Sequence, residues 1–544
     1  MTYSIGVDFG TGSGRVFLVN TANGEIVSHY VKRYTHGTIE NTLKGKKLPY
    51  TFALQHSDDY MEVILEGTPK IMQETQINPK EVVGIGIDFT SSTVIFTDEQ
   101  LTPIHKLPGF ETHPHAYVKL WKHHGAQKEA DQLFHHALKH KSKWLGYYGF
   151  NVSSEWMIPK IMEVMYEAPE VMDVTKNIME AGDWIVNQLI GDNIRSNCGL
   201  GFKAFWEEGI GFHYDLFDQV DPNLSTIVKE KVAAPVINIG DQAGTLTQKM
   251  ADALGLTTDT VVSPFIIDAH SSLLGIGCQQ DKQMTMVIGT STCHLMLNES
   301  QYEVPGISGS VKGAIIPELY AYEAGQSAVG DLFEFVAKQA PKDYVEEAEQ
   351  RGISLFDLLN ERLEGQVPGE NGLIALDWHN GNRSVLSDSQ LKGCIFGMSL
   401  QTRYEDIYRA YLEATAFGAK MIMLQYQNWK MDIENVFACG GIPKKNPFMM
   451  DIYANVLNQT ITVIDSEYAP AIGSAILGAV CGGAHDSLQS AVQAMKEPVL
   501  YEIQPTPEKV KRYEKLFEAY KELHDLHGYK KARIMRNVGE LMEV

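Results

Sequence analysis

The first thirty or so residues constrain the fold more than any other segment. Tyr3 to Val7 is an apolar β-run, Asp8-Phe9-Gly10-Thr11-Gly12-Ser13-Gly14 is a turn, and Arg15 to Val19 is a second β-run. Asn23-Gly24, a pair that favours tight two-residue hairpins, leads into a third strand from Glu25 to Val31. A chain that opens as an antiparallel meander is not building the alternating β and α units of a Rossmann domain. A helix is predicted over Asp58 to Glu74, where Met61, Ile64, Leu65 and Ile71 fall near helical spacing. Val82 to Asp88 reads as a buried strand that runs out into Asp88-Phe89-Thr90-Ser91-Ser92.

The hairpin signal returns in the second half. Met284 to Ile288 is a β-run, Gly289-Thr290-Ser291-Thr292 is a turn, and Cys293 to Leu297 leaves it. The repeated Gly-Thr turn points to two related domains that face each other, each giving one turn to a shared cleft. Length agrees, because single cores stop growing at roughly 250–300 residues and this chain has 544. The boundary is expected at residues 275/276. Further on, Thr402-Arg403-Tyr404-Glu405 reads as a capping box opening a helix to about Leu424. Ala469 to Ala484, rich in small residues, reads as a buried helix too short to span a bilayer. Thr506-Pro507 starts a helix whose face Val510, Tyr513, Phe517 and Tyr520 must dock on the body of the protein.

Four segments carry chemistry. In the first turn, glycines keep the backbone N–H groups accessible to an anion, Thr11 and Ser13 add hydroxyls, and Asp8 stands where it could hold Mg²⁺ through water. The second turn would grip the other side of a polyphosphate. Ala438-Cys439-Gly440-Gly441-Ile442-Pro443 lies between a strand and a predicted helix from Asn446 to Leu457, and its glycine pair would let a flat ring such as adenine lie on the backbone. Ile266-Ile267-Asp268-Ala269-His270 is an apolar run ending in a carboxylate that could accept a hydroxyl proton, with His270 a weaker rival. Each segment alone also admits a plainer reading: a glycine hairpin, a strand-to-helix turn, or an N-cap.

Several classes are excluded. A net charge of −22 argues against nucleic-acid partners and an anionic membrane surface. There is no GxxxxGK[ST], GxSxG or HExxH. Six scattered cysteines without CxxC spacing, and no basic-then-apolar leader, read as the reduced thiols of a cytoplasmic protein. The histidines from His113 to His140 show no compact ligand pattern with acidic or cysteine partners.

Taken in order and spacing, Asp8 to Arg15, Gly289 to Thr292 and Gly440-Gly441 resemble the two phosphate motifs and the adenosine motif of the FGGY carbohydrate kinases. Ala53-Leu54-Gln55-His56, Val118 to His124, Ser153 to Met157 and Tyr322 to Asp331 are most similar to the bacterial ribulokinase branch of that family. The resemblance implies an α/β, two-domain actin/hexokinase-like (ribonuclease H-like) ATPase fold. The cleft would lie between residues 1–275, on the sugar side, and 276–544, on the nucleotide side. It implies transfer of phosphate from ATP, with Mg²⁺, to L-ribulose, giving L-ribulose 5-phosphate in L-arabinose catabolism, and association into dimers (a homodimer here) or other assemblies. Residue by residue, it makes Asp268 catalytic and Asp8 the Mg²⁺-associated carboxylate. Gly10, Thr11, Gly12, Ser13, Arg15, Gly289, Thr290, Ser291, Gly440, Gly441 and Asn446 would face the nucleotide. Ser91, Ser92, Lys203, Asp268 and Glu323 would face the sugar. Two alternatives stay open: another FGGY sugar or polyol kinase, acting on xylulose, ribitol or glycerol, and a non-kinase actin-like ATPase.

Overall fold

The computed structural model describes residues 1–534, so residues 535–544 of the expected second domain lie outside the described residues. Two seven-stranded mixed sheets organise the chain. The first holds β1 (Tyr3–Phe9), β2 (Ser13–Asn20), β3 (Ile26–Arg33), β4 (Val82–Phe89), β5 (Gly244–Thr245), β6 (Val261–Val262) and β7 (Ile266–Ile267), ordered β5-β6-β4-β1-β2-β3 with β7 also on β4. The second holds β8 (Gln283–Ile288), β9 (Thr292–Asn298), β10 (Gly309–Lys312), β11 (Tyr320–Gln326), β12 (Asn435–Cys439), β13 (Ile461–Ile464) and β14 (Val499–Ile503), ordered β10-β11-β9-β8-β12-β13-β14.

The two sheets share a plan. In the first, β1 pairs antiparallel with β2, β2 antiparallel with β3, and β1 parallel with β4. In the second, β8 pairs antiparallel with β9, β9 antiparallel with β11, and β8 parallel with β12. Each glycine turn therefore joins the two central hairpin strands of its own sheet, and the carboxyl ends of the parallel strands lie at the same edge as the turn. That edge is where ligands bind in open α/β sheets.

Eight helices frame or support this edge: α1 (Asp58–Thr75), α2 (Met157–Glu167), α3 (Ala181–Ile190), α4 (Asn197–Lys203), α5 (Asp268–Ile276), α6 (Tyr404–Asn428), α7 (Pro447–Leu457) and α8 (Ala469–Cys481). The small-residue helix expected over Ala469 to Ala484 is α8, and it does not stay with its own half. It lies on the first sheet, in one apolar core with Ile5, Val7 and Ile87. The reason is contact distance: a Cβ on Gly86 of β4 would stand 1.7 Å from the carbonyl oxygen of Ser474, and one on Gly6 of β1 would stand 2.1 Å from that of Ala471. Only bare backbone lets the helix come so near. The helix Pro507–Asp525 starts after Thr506 as expected and buries Val510, Tyr513, Phe517 and Tyr520, the last three in the core of the second sheet.

One boundary differs from expectation. The helix assigned to a Thr402/Glu405 box begins one residue later, with Arg403 as N-cap and Asp406 closing the box, and runs on to Asn428. The Thr402 hydroxyl turns back to accept the Ser399 N–H at 2.9 Å, while the Asp406 carboxylate accepts the Arg403 N–H at 3.0 Å. Among the described residues no helix is long and apolar enough to cross a membrane.

Candidate active site

Sheet register brings three carboxylates to one edge. Asp8 is paired with Arg15 across the hairpin and with Asp88 on β4, and Ile266 of β7 is paired with Asp88 in turn. Asp268 follows β7 at once, as the first residue of α5. Asp8 accepts an Arg15 guanidinium hydrogen bond at 2.7 Å. Asp88 is fully buried, and neither of its oxygens has a hydrogen-bonding partner of normal geometry. Burial first, then the nearby Asp8 and Asp268, pushes its acidity far towards the neutral form. Asp268, half-buried, is pushed up to about 7 by burial, with Asp8 and Glu323 adding to the rise while the Ala269 N–H and Lys203 oppose it. One arginine does not balance three carboxylates. Ionising all three at once calls for a further cation, and oxygen donors such as these, two of them without a partner, suit a hard divalent one.

The carbonyls of the first turn are taken up by the scaffold around it. Tyr34 donates to Gly10 and Gly12, through its hydroxyl at 2.9 Å and its N–H at 3.1 Å. Gln55 Nε2 donates to the Thr11 carbonyl at 2.7 Å, and Trp121 Nε1 to Thr11 Oγ1 at 3.1 Å. Among the described residues no acceptor takes the N–H of Thr11 or Gly12, so both remain for an anion. The second turn closes through Gly289 N–H to Ser291 at 2.9 Å and is tied by its carbonyls to Val329 and Gly330. Gly289 and Thr290 are exposed and Ser291 half-buried. Cys293, two residues past this turn, feels the charges of Glu323 and Asp268. Asp268 thus lies at the sheet edge that carries the first turn, and its charge reaches the strand that leaves the second.

Beside Asp268 lies a charged set drawn from both halves. Lys203 ends α4, and its ammonium reaches both oxygens of Glu323 on β11, at 3.0 and 3.1 Å. His270 Nε2 donates to the same carboxylate at 3.1 Å. Burial works against the Glu323 charge, but Lys203 and His270 outweigh it and hold the group ionised well below the usual carboxylate range. His270 is itself held neutral by burial, and its Nδ1 lies 3.3 Å from Cys198 Sγ, a thiol that burial keeps protonated. His270 thus spends both ring nitrogens on neighbours, which removes it as a rival base. Ser91 and Ser92 sit in the turn after β4; Ser92 is buried and has φ of 55°.

The nucleotide-side residues divide. Gly440 adopts φ of 109°, and a Cβ there would stand 2.3 Å from the Ile288 carbonyl oxygen, so this glycine is required by the approach of β8. Gly441 has nothing within 4 Å and is open to a ligand. Asn446 is committed to the scaffold: its side chain caps α7 by accepting from Met449 N–H at 3.0 Å and donates to the Tyr408 hydroxyl at 3.0 Å.

Three groups emerge only in three dimensions. From the sequence Asp88 is expected only as the first residue of a sugar-contacting turn, Asp88 to Ser92, and not as a neighbour of Asp8 and Asp268. Glu155 and Arg383, 228 residues apart, form a two-bond ion pair at 3.0 and 3.1 Å that joins the halves beside this set. The histidine stretch does acquire acidic partners: Glu163 of α2 accepts from His123 at 2.9 Å, and His115, Glu163 and Glu167 come within 4.8 Å of one another. The buried Lys119 ammonium, 3.0 Å from Glu163 and 3.1 Å from His115 Nδ1, already supplies the cation there.

Known proteins match this arrangement along its length. Residues 3–275 match the N-terminal domain and residues 284–481 the C-terminal domain of the FGGY family of carbohydrate kinases. "Ribulokinase" from Staphylococcus aureus (strain Newman) is 70% identical over 541 residues, 99% of each chain. "Ribulokinase 2" from Staphylococcus saprophyticus is 71% identical over 542 residues, 100% of each. Among solved structures, a ligand-bound xylulose kinase from Lactobacillus acidophilus superposes with a TM-score of 0.80 over 98% of this chain and 100% of that one. Plasmodium falciparum glycerol kinase with ADP gives 0.76 over 96% and 98%. Both are 16% identical and speak for the fold alone. Twin glycine turns on twin sheets, a cluster of carboxylates at the edge of the first sheet and full-length relatives all lead to one assignment: the chain belongs to the FGGY family of carbohydrate kinases.

Proposed function

We propose that this chain is a ribulokinase, transferring the γ-phosphate of ATP to the terminal hydroxyl of L-ribulose. The observation that carries the kinase chemistry is Asp268, a carboxylate poised near neutrality at the sheet edge that carries the first glycine turn and beside the Lys203–Glu323–His270 set. The choice of sugar is supported by the names of the 70–71% identical relatives. Residues 1–275 form the sugar side and residues 276–544 the nucleotide side.

The sugar lies against Ser91, Ser92, Lys203 and Glu323, whose polar groups answer its hydroxyls in a site where an unpaired hydroxyl would cost about 1–3 kcal/mol. The N–H groups of Thr11 and Gly12 and the turn at Gly289, Thr290 and Ser291 receive the phosphates, with adenine over Gly440 and Gly441. Asp8, with Asp88 beside it, fits Mg²⁺, which would offset phosphate charge when bound. Asp268 accepts the hydroxyl proton as the sugar oxygen bonds to the γ-phosphorus. The bond to the β,γ-bridging oxygen breaks, and ADP leaves with that electron pair. Water is excluded as the halves close. The setting is a cytoplasmic enzyme of L-arabinose catabolism, active as a homodimer.

The test is ADP release with L-ribulose, D-xylulose, ribitol and glycerol, each at varied concentration. L-ribulose should give the highest kcat/KM, with a 5-phosphate as product by ³¹P NMR. A higher kcat/KM for a non-ribulose polyol overturns the choice of sugar, and no sugar-stimulated turnover with any of them overturns the kinase reading.

A further inference from the structure

The turn from Thr90 to Thr93 is held from several sides. Its first N–H donates to the Phe9 carbonyl at 3.1 Å, which fixes it to the strand ahead of the first glycine turn. The Thr93 N–H donates to Glu180 Oε2 at 2.9 Å, and the Thr93 carbonyl accepts the Ala181 N–H at 2.7 Å. The Ser92 carbonyl accepts from Lys160 Nζ at 2.6 Å. Ser92 is a non-glycine residue at φ of 55°, a conformation that persists only where surroundings enforce it.

Lys160 is wholly buried on α2. Its ammonium makes a second bond, to the Leu120 carbonyl at 2.8 Å. The next residue, Trp121, is the one whose indole N–H holds Thr11 of the first glycine turn. One buried ammonium therefore ties the Ser91–Ser92 turn to the segment that braces the phosphate turn. Glu180, also buried, holds the other end of the same turn; burial opposes the charge of both groups, and each favours the charge of the other. An all-carbon side chain at 160 would leave the buried Ser92 carbonyl unanswered and the Leu120 carbonyl with only its bond from the His123 N–H at 2.9 Å.

We propose that Lys160 and Glu180 are positioning residues for sugar recognition, clamping the Thr90–Thr93 turn in the strained shape in which it meets the substrate and setting its distance from the phosphate turn through Leu120–Trp121. This rests on the reading of that turn as part of the sugar pocket. The clamp acts on KM for the sugar, because Lys160 spends its hydrogen bonds on backbone carbonyls rather than on reacting atoms.

The experiment compares full-length wild type with Lys160→Met and Lys160→Gln, reading steady-state kinetics, thermal stability and backbone amide exchange of segment 89–94. Lys160→Met should raise KM for L-ribulose about tenfold or more, with KM for ATP changed by less than about threefold. Amides of Ser91 to Thr93 should exchange faster. Lys160→Gln, which can still donate to one carbonyl, should fall between wild type and Met in both readouts, and it carries the test alone if the Met variant does not fold. A lowered melting temperature with unchanged sugar KM and unchanged exchange in 89–94 makes Lys160 an ordinary core lysine and overturns the proposal. The exchange readout needs no substrate. If wild type ignores L-ribulose while Lys160→Met still loosens 89–94, the choice of sugar fails and the clamp stands.

Discussion

Asp268 illustrates how one residue can be costly to the fold and useful to the chemistry. Its carboxyl is raised to about 7 by burial and by Asp8 and Glu323, against an ordinary value of 3.8 that the unfolded chain would show. The folded form then holds a proton that the unfolded form has lost, so stability falls as pH rises from about 4 to about 7. Asp268→Asn should remove that slope, and the variant should gain melting temperature over wild type at pH 8 and lose the advantage towards pH 4. The same substitution should lower kcat by about 10²–10⁴-fold, the usual worth of a general base, while leaving ATP binding intact. Wild-type kcat/KM should fall on the acid side of about pH 7 as the base takes up its proton. Near-normal turnover in Asp268→Asn, or the same pH–stability slope in both proteins, would remove Asp268 from this role. The position of Asp268 was legible because an apolar strand ran straight into it. Asp88 was legible only as the start of a sugar-contacting turn, because its place beside Asp8 comes from a parallel ladder spanning eighty residues of sequence.

At the scale of elements, the hairpins were legible for a physical reason. A glycine-threonine turn between two alternating β-runs has few other ways to fold, and strands such as Ser13–Asn20 and Thr292–Asn298 extend the expected runs by only a residue or two. The placement of α8 on the first sheet was not legible. Its small residues announce close packing but not the partner, which is set by Gly6, Gly84 and Gly86 some four hundred residues earlier. Within the first hairpin the glycines serve different ends, and this can be measured. A Cβ on Gly12 meets nothing within 4 Å, whereas one on Gly14 would stand 2.7 Å from a Val63 methyl. Gly12→Ala should therefore keep the wild-type melting temperature and raise KM for ATP, since the methyl enters only the space where phosphate approaches the backbone. Gly14→Ala should lower stability by about 1–3 kcal/mol, the typical cost of overpacking, with a smaller effect on KM for ATP. Melting curves and ATP titrations of the two variants check the contrast, and equal behaviour would mean that the turn does not face the nucleotide.

The whole molecule depends on what crosses between its halves, and two of the contacts that cross near the candidate site are ion pairs. Lys203 reaches Glu323, and Arg383 reaches Glu155. Arg383 also lies against Gly325, where a Cβ would stand 3.2 Å from its Cδ, so the glycine two residues past Glu323 leaves room for the guanidinium stem. Glu155 is held ionised: burial opposes its charge, but Arg383 and His124 more than compensate. The pair is only partly exposed, at 25% and 21% of the side chains, and it makes two hydrogen bonds to one guanidinium nitrogen. Such a contact is worth more than a surface ion pair and ties the segment leading into α2 to β11. If it fixes how the halves meet around the sugar, Glu155→Gln and Arg383→Gln should each lower kcat/KM for the sugar, and the double variant should be no worse than the poorer single. That non-additivity corresponds to a coupling of about 1–2 kcal/mol. Effects that simply add in the double variant would mean that each residue acts alone, and that Lys203 and Glu323 span the gap between the halves without help from this second pair.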